Sequence, residues 1–112
     1  MNSKHQLALL NFTKFVTNEH EKLSFKQLAF LMQVAINPGR SHTELAELLG
    51  VTRSAVTRNV DVFGTGPAKS DRHKSLGLVE ALREEEDERL ISIYLTRRGE
   101  RFLEDLESLV FS

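Results

Sequence analysis

The stretch SHTELAELLGVTRSAVTRNVDVF, residues 41–63, decides the fold that this sequence predicts. Ser41 followed by Glu44 is typical of a capping box that begins a helix. Gly50 is typical of the left-handed residue that ends one, and Thr52 can cap the helix that follows. The spacing therefore predicts two short helices joined by a tight turn, which is a helix-turn-helix.

The second of these helices is predicted to bury one face and expose the other. Val56, Val60 and Phe63 are spaced four and three residues apart, so they share an inward face. The outward face is polar and holds Arg53, Ser54, Thr57, Arg58 and Asp61. Arginine reads guanine edges and short hydroxyls reach bases and phosphates, so this face suits a DNA major groove. The alternative interpretation is an ordinary corner between two packed helices.

Composition favours one ordinary globular domain. The 112 residues are 40% hydrophobic and 28% charged, with no cysteine, so the sequence predicts no disulfide and no cysteine-bound zinc. The net charge of −1 makes the distribution of charge more informative than its total. No apolar run approaches the ~20 residues of a membrane span, and no signal peptide is expected. The expected location is the cytoplasm, either bacterial or that of the host of a phage or plasmid.

Helices are predicted on both sides of the helix-turn-helix. Residues 4–18 carry an apolar stripe, and residues 97–112, capped by Thr96, carry another. Between them, Ser24 caps a helix whose expected inward residues are Phe25, Leu28, Leu31, Met32 and Ala35. Pro38 and Gly39 end that helix. The apolar stripes of the two end helices pack either in the core of their own chain or against a partner subunit.

Two β-prone runs, residues 76–83 and 89–95, precede the last helix. Ile91, Ile93 and Leu95 alternate with Ser92 and Tyr94, which is the period of a half-buried strand. The acidic residues 84–88 form the tip of the predicted hairpin. The expected fold is mainly α with a small β-hairpin, in the order α-α-α-α-β-β-α. This is a winged helix, and we expect a single domain over residues 1–112.

From Leu23 to Leu103 the sequence resembles the MarR family of bacterial winged-helix transcription regulators. The matching segments are Leu23-Ser24 with Gln27, Asn37-Pro38-Gly39, Glu44-Leu45-Ala46, Gly50-Val51-Thr52, Val56-Thr57-Arg58, Gly77-Leu78-Val79 and Leu95-Thr96 with Gly99. The resemblance implies a homodimer that binds a pseudo-palindromic operator in double-stranded DNA, with repression as the expected effect. It also implies that DNA faces Thr52, Arg53, Ser54, Thr57 and Arg58, and that Asp87 holds Arg89 on the wing.

The sequence departs from this family in the loop and the wing. Residues 64–75 resemble an insertion with a net charge of +2, and Lys69, Arg72 and Lys74 are candidates for phosphate contacts, together with Arg40 and Arg89. Residues 83–89 have a net charge of −3, which DNA would repel. The alternative function is therefore a protein-interaction module whose acidic wing binds another regulator or a replication protein.

Catalytic chemistry is not predicted. His5, His20, His42 and His73 show no metal-ligand spacing, and surface or capping roles are expected for them. We expect no enzyme activity, no metal and no cofactor, and no residue pattern identifies a small effector.

A homodimer is predicted through the end helices. A winged helix of this size does not obviously have room in its core for both apolar stripes, and leaving them exposed to water would be unfavourable. The residues expected to face the second copy are Leu7, Leu10, Phe12, Phe15, Phe102, Leu106, Leu109 and Val110.

Overall fold

The computed structural model describes residues 2–19, 23–64, 76–83 and 90–111. Within these ranges the elements are α1 (Ser3–Glu19), α2 (Phe25–Ile36), α3 (His42–Leu49), α4 (Arg53–Phe63), β1 (Val79–Arg83), β2 (Ile91–Leu95) and α5 (Arg97–Phe111). The predicted order of a mainly helical winged helix with one hairpin is confirmed. No helix in the described ranges combines the length and apolar composition needed to cross a membrane.

The predicted caps bound the helix-turn-helix. The Ser41 hydroxyl accepts from the Glu44 amide at 3.2 Å, and the Glu44 carboxylate accepts from the Ser41 amide at 3.2 Å. Gly50 ends α3 with a φ of 67°, a left-handed conformation that glycine adopts without steric cost. The Thr52 hydroxyl then accepts from the Ala55 amide at 3.1 Å and begins α4. The turn is therefore specified by local chemistry.

Helix α2 lies at the centre of the core, and its buried face is only partly the predicted one, since Leu28 and Leu31 are buried as expected. Phe25, Met32 and Ala35 are exposed. The buried residues are Leu28, Phe30, Leu31 and Val34. The inward face is rotated around the helix because α3, α4, β2 and α5 all pack against α2. The Phe30 ring stacks on the ring of Phe63, with centroids 6.0 Å apart, and so ties α4 to α2.

The wing is an antiparallel hairpin with a short third partner. Val79 pairs with Leu95, and the amide of Ile93 donates to the carbonyl of Arg40 at 3.0 Å on the other side of β2. The segment that enters the helix-turn-helix is therefore bonded to the wing. Ser92 is buried, which corrects the predicted alternation. Helices α2, α3 and α5 all pack against β2, so both of its faces are partly covered.

Helix α5 packs into the core of its own chain. The rings of Phe15 and Phe102 are 5.8 Å apart between centroids, which joins α1 to α5. Phe102 and Leu106 are only 7% and 4% exposed, and Val16 is buried beside them. The core therefore has room for part of each apolar stripe, which the sequence did not make obvious.

Candidate nucleic-acid interface

The outward face of α4 is the predicted reading surface, and the structure exposes most of it. Arg53 and Ser54 are exposed at the N-terminus of the helix, and Arg58 is exposed one turn further on. On the opposite face Val56 and Phe63 are fully buried. One face of α4 is thus fixed to the core while the arginine face points to solvent, which is the arrangement that a groove-binding helix needs.

Two threonines on this helix also hold its backbone. Thr52 accepts from the amide of Ala55, as the N-cap. Thr57 is half-buried, and its hydroxyl donates to the carbonyl of Arg53 at 3.1 Å. A hydroxyl that donates to its own helix keeps its oxygen available as an acceptor. Both threonines therefore have a structural role beside the predicted contact with DNA.

A histidine of α3 lies close to the charges of α4. His42 is half-buried, and desolvation by burial is the main cause that lowers its pKa. The positive charge of Arg53 lowers the pKa of His42 further, and the negative charge of Asp61 raises it. Asp61 was predicted to be exposed on the reading face but is half-buried. A surface or capping role was expected for His42, and no spacing in the sequence indicates its approach to α4.

Arg40 lies at the entrance to the helix-turn-helix and is already paired. Its Nη1 lies 3.0 Å from Oε2 of Glu44, and both side chains are about half exposed. The hydrogen bond from the Ser41 amide is the main cause that lowers the pKa of Glu44, and the bond from Arg40 adds to it. A phosphate contact by Arg40 would compete with this ion pair, so that role stays a prediction.

The predicted basic insertion begins and ends at the C-terminus of α4. The amide of Leu76 donates to the carbonyl of Val62 at 3.0 Å, and the amide of Leu78 donates to the carbonyl of Phe63 at 2.7 Å. These bonds hold the residues on either side of the insertion side by side. The two described ends of the segment 65–75 therefore meet beside the C-terminus of α4.

Several solved structures share this arrangement of helices and hairpin. Rv1404 from Mycobacterium tuberculosis aligns with a TM-score of 0.71 and 21% identity over 96% of this chain and 67% of its own. Apo MarR from E. coli aligns with a TM-score of 0.67 and 22% identity over 98% and 70% of the two chains. FabT from Streptococcus pneumoniae, solved in complex with DNA, aligns with a TM-score of 0.66 and 19% identity over 92% and 64%. The protein has the MarR-family fold.

At these identities the similarity concerns the fold. No family model matches the sequence, and no curated protein matches it either. The chain spans between 64% and 70% of the length of the structures named above. The MarR fold is therefore recognised from the arrangement of helices and hairpin.

The tip of the wing in this MarR fold lies outside the described residues. The predicted contacts of Asp87 and Arg89, and the acidic residues 84–88, belong to that part of the chain. The candidate phosphate contacts Lys69, Arg72 and Lys74 also lie outside it. Their roles stay predictions, and so does the alternative in which the acidic wing binds a protein.

The predicted dimer residues occupy different depths in the MarR fold. Leu7 and Leu10 are exposed, Phe12 and Phe15 are partly buried, and Leu109 and Val110 are half-buried. Phe102 and Leu106 lie in the core of the chain itself, so they are not available to a partner. Three further apolar side chains are exposed nearby, namely Met32 and Ile36 of α2 and Phe111 of α5. Together with Phe12 and Val110 they surround an apolar depression of about 300 Å³.

Proposed function

We propose that this protein is a sequence-specific transcriptional regulator that binds a pseudo-palindromic operator in double-stranded DNA as a homodimer. The observation that carries the proposal is the position of α4. Its buried face is fixed to the core, and its N-terminal arginine face is open to solvent. The similarity to FabT, which was solved in complex with DNA, supports DNA as the partner.

The residues of this face have the chemistry of direct readout. An arginine can make a bidentate contact with the O6 and N7 atoms of guanine, and small hydroxyls reach bases or phosphates. Arg53, Ser54 and Arg58 supply these groups from one exposed surface. Because α4 is only 11 residues long and is capped at its start by Thr52, its N-terminal turn is well defined relative to the core.

The proposed dimer explains the apolar surface of the end helices. Leu7 and Leu10 on α1 are 58% and 49% exposed, and Phe111 at the end of α5 is 81% exposed. Burying one such side chain contributes ~1.5–3 kcal/mol. A two-fold axis would bury each against the second copy. It would also place two α4 helices about one DNA turn, ~34 Å, apart.

Selection from a pool of random DNA duplexes tests the proposal. We expect the enriched sequences to share an inverted repeat with half-site centres ~10 bp apart. Fluorescence anisotropy at one fixed salt concentration should then show a preference of at least ~10³-fold for this repeat over a scrambled duplex. Equal affinity for the two duplexes, or no enriched sequence, would contradict the proposal.

Repression is the effect that we propose for operator binding. The selected repeat would be placed between a promoter and a reporter gene in cells that do or do not produce the protein. Repression predicts lower reporter output only when both the protein and the intact repeat are present. Higher output with the intact repeat would mean that the protein is an activator.

A further inference from the structure

The start of α5 carries three arginines outside the predicted reading surface. They are Arg97, Arg98 and Arg101, and all three are exposed. Helical periodicity places these positions within an arc of about 100°, so the three side chains leave the same side of the helix. The other side is buried at Gly99 and Leu106. The three arginines together form the α5 arginine face.

The position of these arginines is electrostatically unfavourable for the helix itself. The N-terminus of a helix carries partial positive charge, so cations near it are destabilising. Arg97 and Arg101 are four residues apart, and like charges at this spacing repel each other. Three of the four charged residues in 97–101 are basic, whereas the three charged residues in 102–111 are all acidic. The charges of α5 are therefore arranged against its own dipole.

The described part of the chain does not neutralise the α5 arginine face. None of the three guanidinium groups lies within ion-pair distance of a described carboxylate. Glu104 and Asp105 follow Arg101 at spacings that allow a pair, yet neither bonds to it. Local rules of helix design are broken mainly at functional sites. The partner that offsets three exposed cations is an anion.

The α5 arginine face lies next to the C-terminal end of α4. The carbonyl of Phe63, the last residue of α4, accepts from the Leu78 amide at 2.7 Å. The carbonyl of Leu78 accepts in turn from the amide of Thr96 at 3.0 Å, and Thr96 directly precedes α5. A helix of 11 residues is ~16 Å long, which exceeds the ~12 Å width of the major groove. When the N-terminal turn of α4 reads bases, its C-terminal end therefore approaches the phosphates at the edge of the groove.

We propose that Arg97, Arg98 and Arg101 bind the phosphodiester backbone of DNA at the edge of the groove that α4 enters. Arginine presents a planar fork of N–H donors that matches two phosphate oxygens. Contacts of this kind add affinity on any sequence and orient the protein on the duplex. A bound phosphate also offsets the repulsion within the face and complements the helix dipole. The inference rests on the proposed function, because it takes DNA as the partner.

The salt dependence of DNA binding tests the α5 arginine face. The arginine variant replaces all three arginines by glutamine. The control removes the same number of positive charges from exposed positions of α1 and α2, by replacing with glutamine Lys4, Lys14 and Lys26. Fluorescence anisotropy then measures affinity for the selected repeat and for a mixed-sequence duplex at several salt concentrations.

The arginine variant should lose affinity for both duplexes by a similar factor, roughly tenfold or more at low salt. Its slope of log affinity against log salt should fall by up to ~3 units for each bound chain. The lysine control should keep the wild-type slope, since its charges lie away from α4. A wild-type slope in the folded arginine variant would overturn the proposal.

The mixed-sequence duplex separates this inference from the proposed function. If selection yields no repeat but the arginine variant loses slope on the mixed-sequence duplex, operator recognition fails and the backbone contact stands. If the repeat is found and the slope of the arginine variant is unchanged, only the arginine face is overturned. A wild type without affinity for either duplex would overturn both.

Unfolding and a second polyanion complete the test. Far-ultraviolet circular dichroism checks that each variant is folded. Removal of the three arginines should raise the urea midpoint of unfolding at low salt, because it relieves repulsion at the start of α5. A lower midpoint would overturn the proposal, since the arginines would then serve the fold. Binding of poly-L-glutamate that is lost in the arginine variant, with an unchanged slope on DNA, would overturn it in favour of an acidic protein partner.

Discussion

Arg58 is exposed on the outward face of α4, so its replacement should affect recognition and leave the fold intact. A bidentate contact with guanine contributes ~1–3 kcal/mol of discrimination. Arg58→Ala is therefore expected to lower affinity for the selected repeat by roughly tenfold or more, with a smaller effect on scrambled DNA. Fluorescence anisotropy on both duplexes measures the two effects separately.

Lys14→Ala is the matched control for Arg58→Ala, because it removes one positive charge from an exposed position on α1. The Lys14→Ala variant should bind both the selected repeat and the scrambled duplex almost as tightly as the wild type does. If folded Arg58→Ala protein bound the repeat as tightly as the wild type, Arg58 would not be a reading residue.

His42 should make stability depend on pH. Burial, followed by the charge of Arg53, lowers the pKa of His42 below its ordinary value of 6.5 in the folded state. The unfolded state then binds more protons, so the free energy of unfolding should decrease as pH falls through and below ~6.5. Urea unfolding at neutral and mildly acidic pH should show a smaller decrease for His42→Gln than for the wild type. Equal decreases in the two proteins would mean that other groups cause the pH dependence.

At the scale of elements, the junction between the wing and α5 depends on Gly99. A Cβ atom at this position would overlap the carbonyl oxygen of Leu78, which is backbone and cannot move independently. Thr96 holds the same junction, because its hydroxyl accepts from the Gly99 amide at 3.1 Å and donates to the Gly77 carbonyl at 2.6 Å. Helix α5 therefore approaches the strand entrance too closely for any larger residue.

Gly99→Ala should lower the free energy of unfolding by ~1–3 kcal/mol, because overpacking forces α5 away from Leu78. Helix propensity acts in the opposite direction and favours alanine by ~1 kcal/mol. Ser108→Ala, at an exposed position of α5, is the control and should stay within ~0.5 kcal/mol of the wild type. Urea denaturation distinguishes the two effects, and a Gly99→Ala protein more stable than the wild type would contradict the steric argument.

The basic insertion gives a second prediction at this scale. Phosphate contacts are driven by charge and do not depend on sequence, so Lys69, Arg72 and Lys74 should affect all DNA alike. Replacing the three by glutamine should reduce the slope of log affinity against log salt by up to ~3 units. Anisotropy titrations at several salt concentrations measure this slope. An unchanged slope would show that these residues do not contact phosphates.

At the scale of the whole molecule, the prediction concerns assembly. Leu7 and Leu10 are exposed and three residues apart on α1, so replacing both by glutamate should break a dimer without unfolding the chain. Light scattering should give twice the monomer mass for the wild type and about 12.7 kDa for the double variant. The double variant should also bind the full repeat more weakly than the wild type.

Leu9→Glu is the control for assembly, because Leu9 is exposed on another side of α1. It should remain dimeric. A wild-type mass near 12.7 kDa at micromolar concentration would rule out the proposed dimer. The substitution of Leu106 would not be informative here, since this residue is buried in the core of the chain and its loss would disturb the fold.

The sequence by itself determined the elements and their order, because those signals are local. A capping box needs only Ser41 and Glu44, and a helix end needs only a residue that tolerates positive φ, such as Gly50. The inward face of α4 was also predictable, since Val56, Val60 and Phe63 follow helical spacing on a helix with one buried side. The outward face is the remainder of that helix, so its exposed arginines could be named in advance.

Only the tertiary structure decided which apolar residues are core and which are surface. Spacing placed Leu10 and Leu106 in equivalent stripes, but packing of α1 on α5 buried Leu106 and left Leu10 exposed. The same holds for Ser92 and Phe30, whose burial depends on several elements covering one strand or helix. The approach of His42 to Arg53 and Asp61 of α4 also joins residues that lie apart in sequence. Such features depend on how whole elements pack, and no local pattern encodes them.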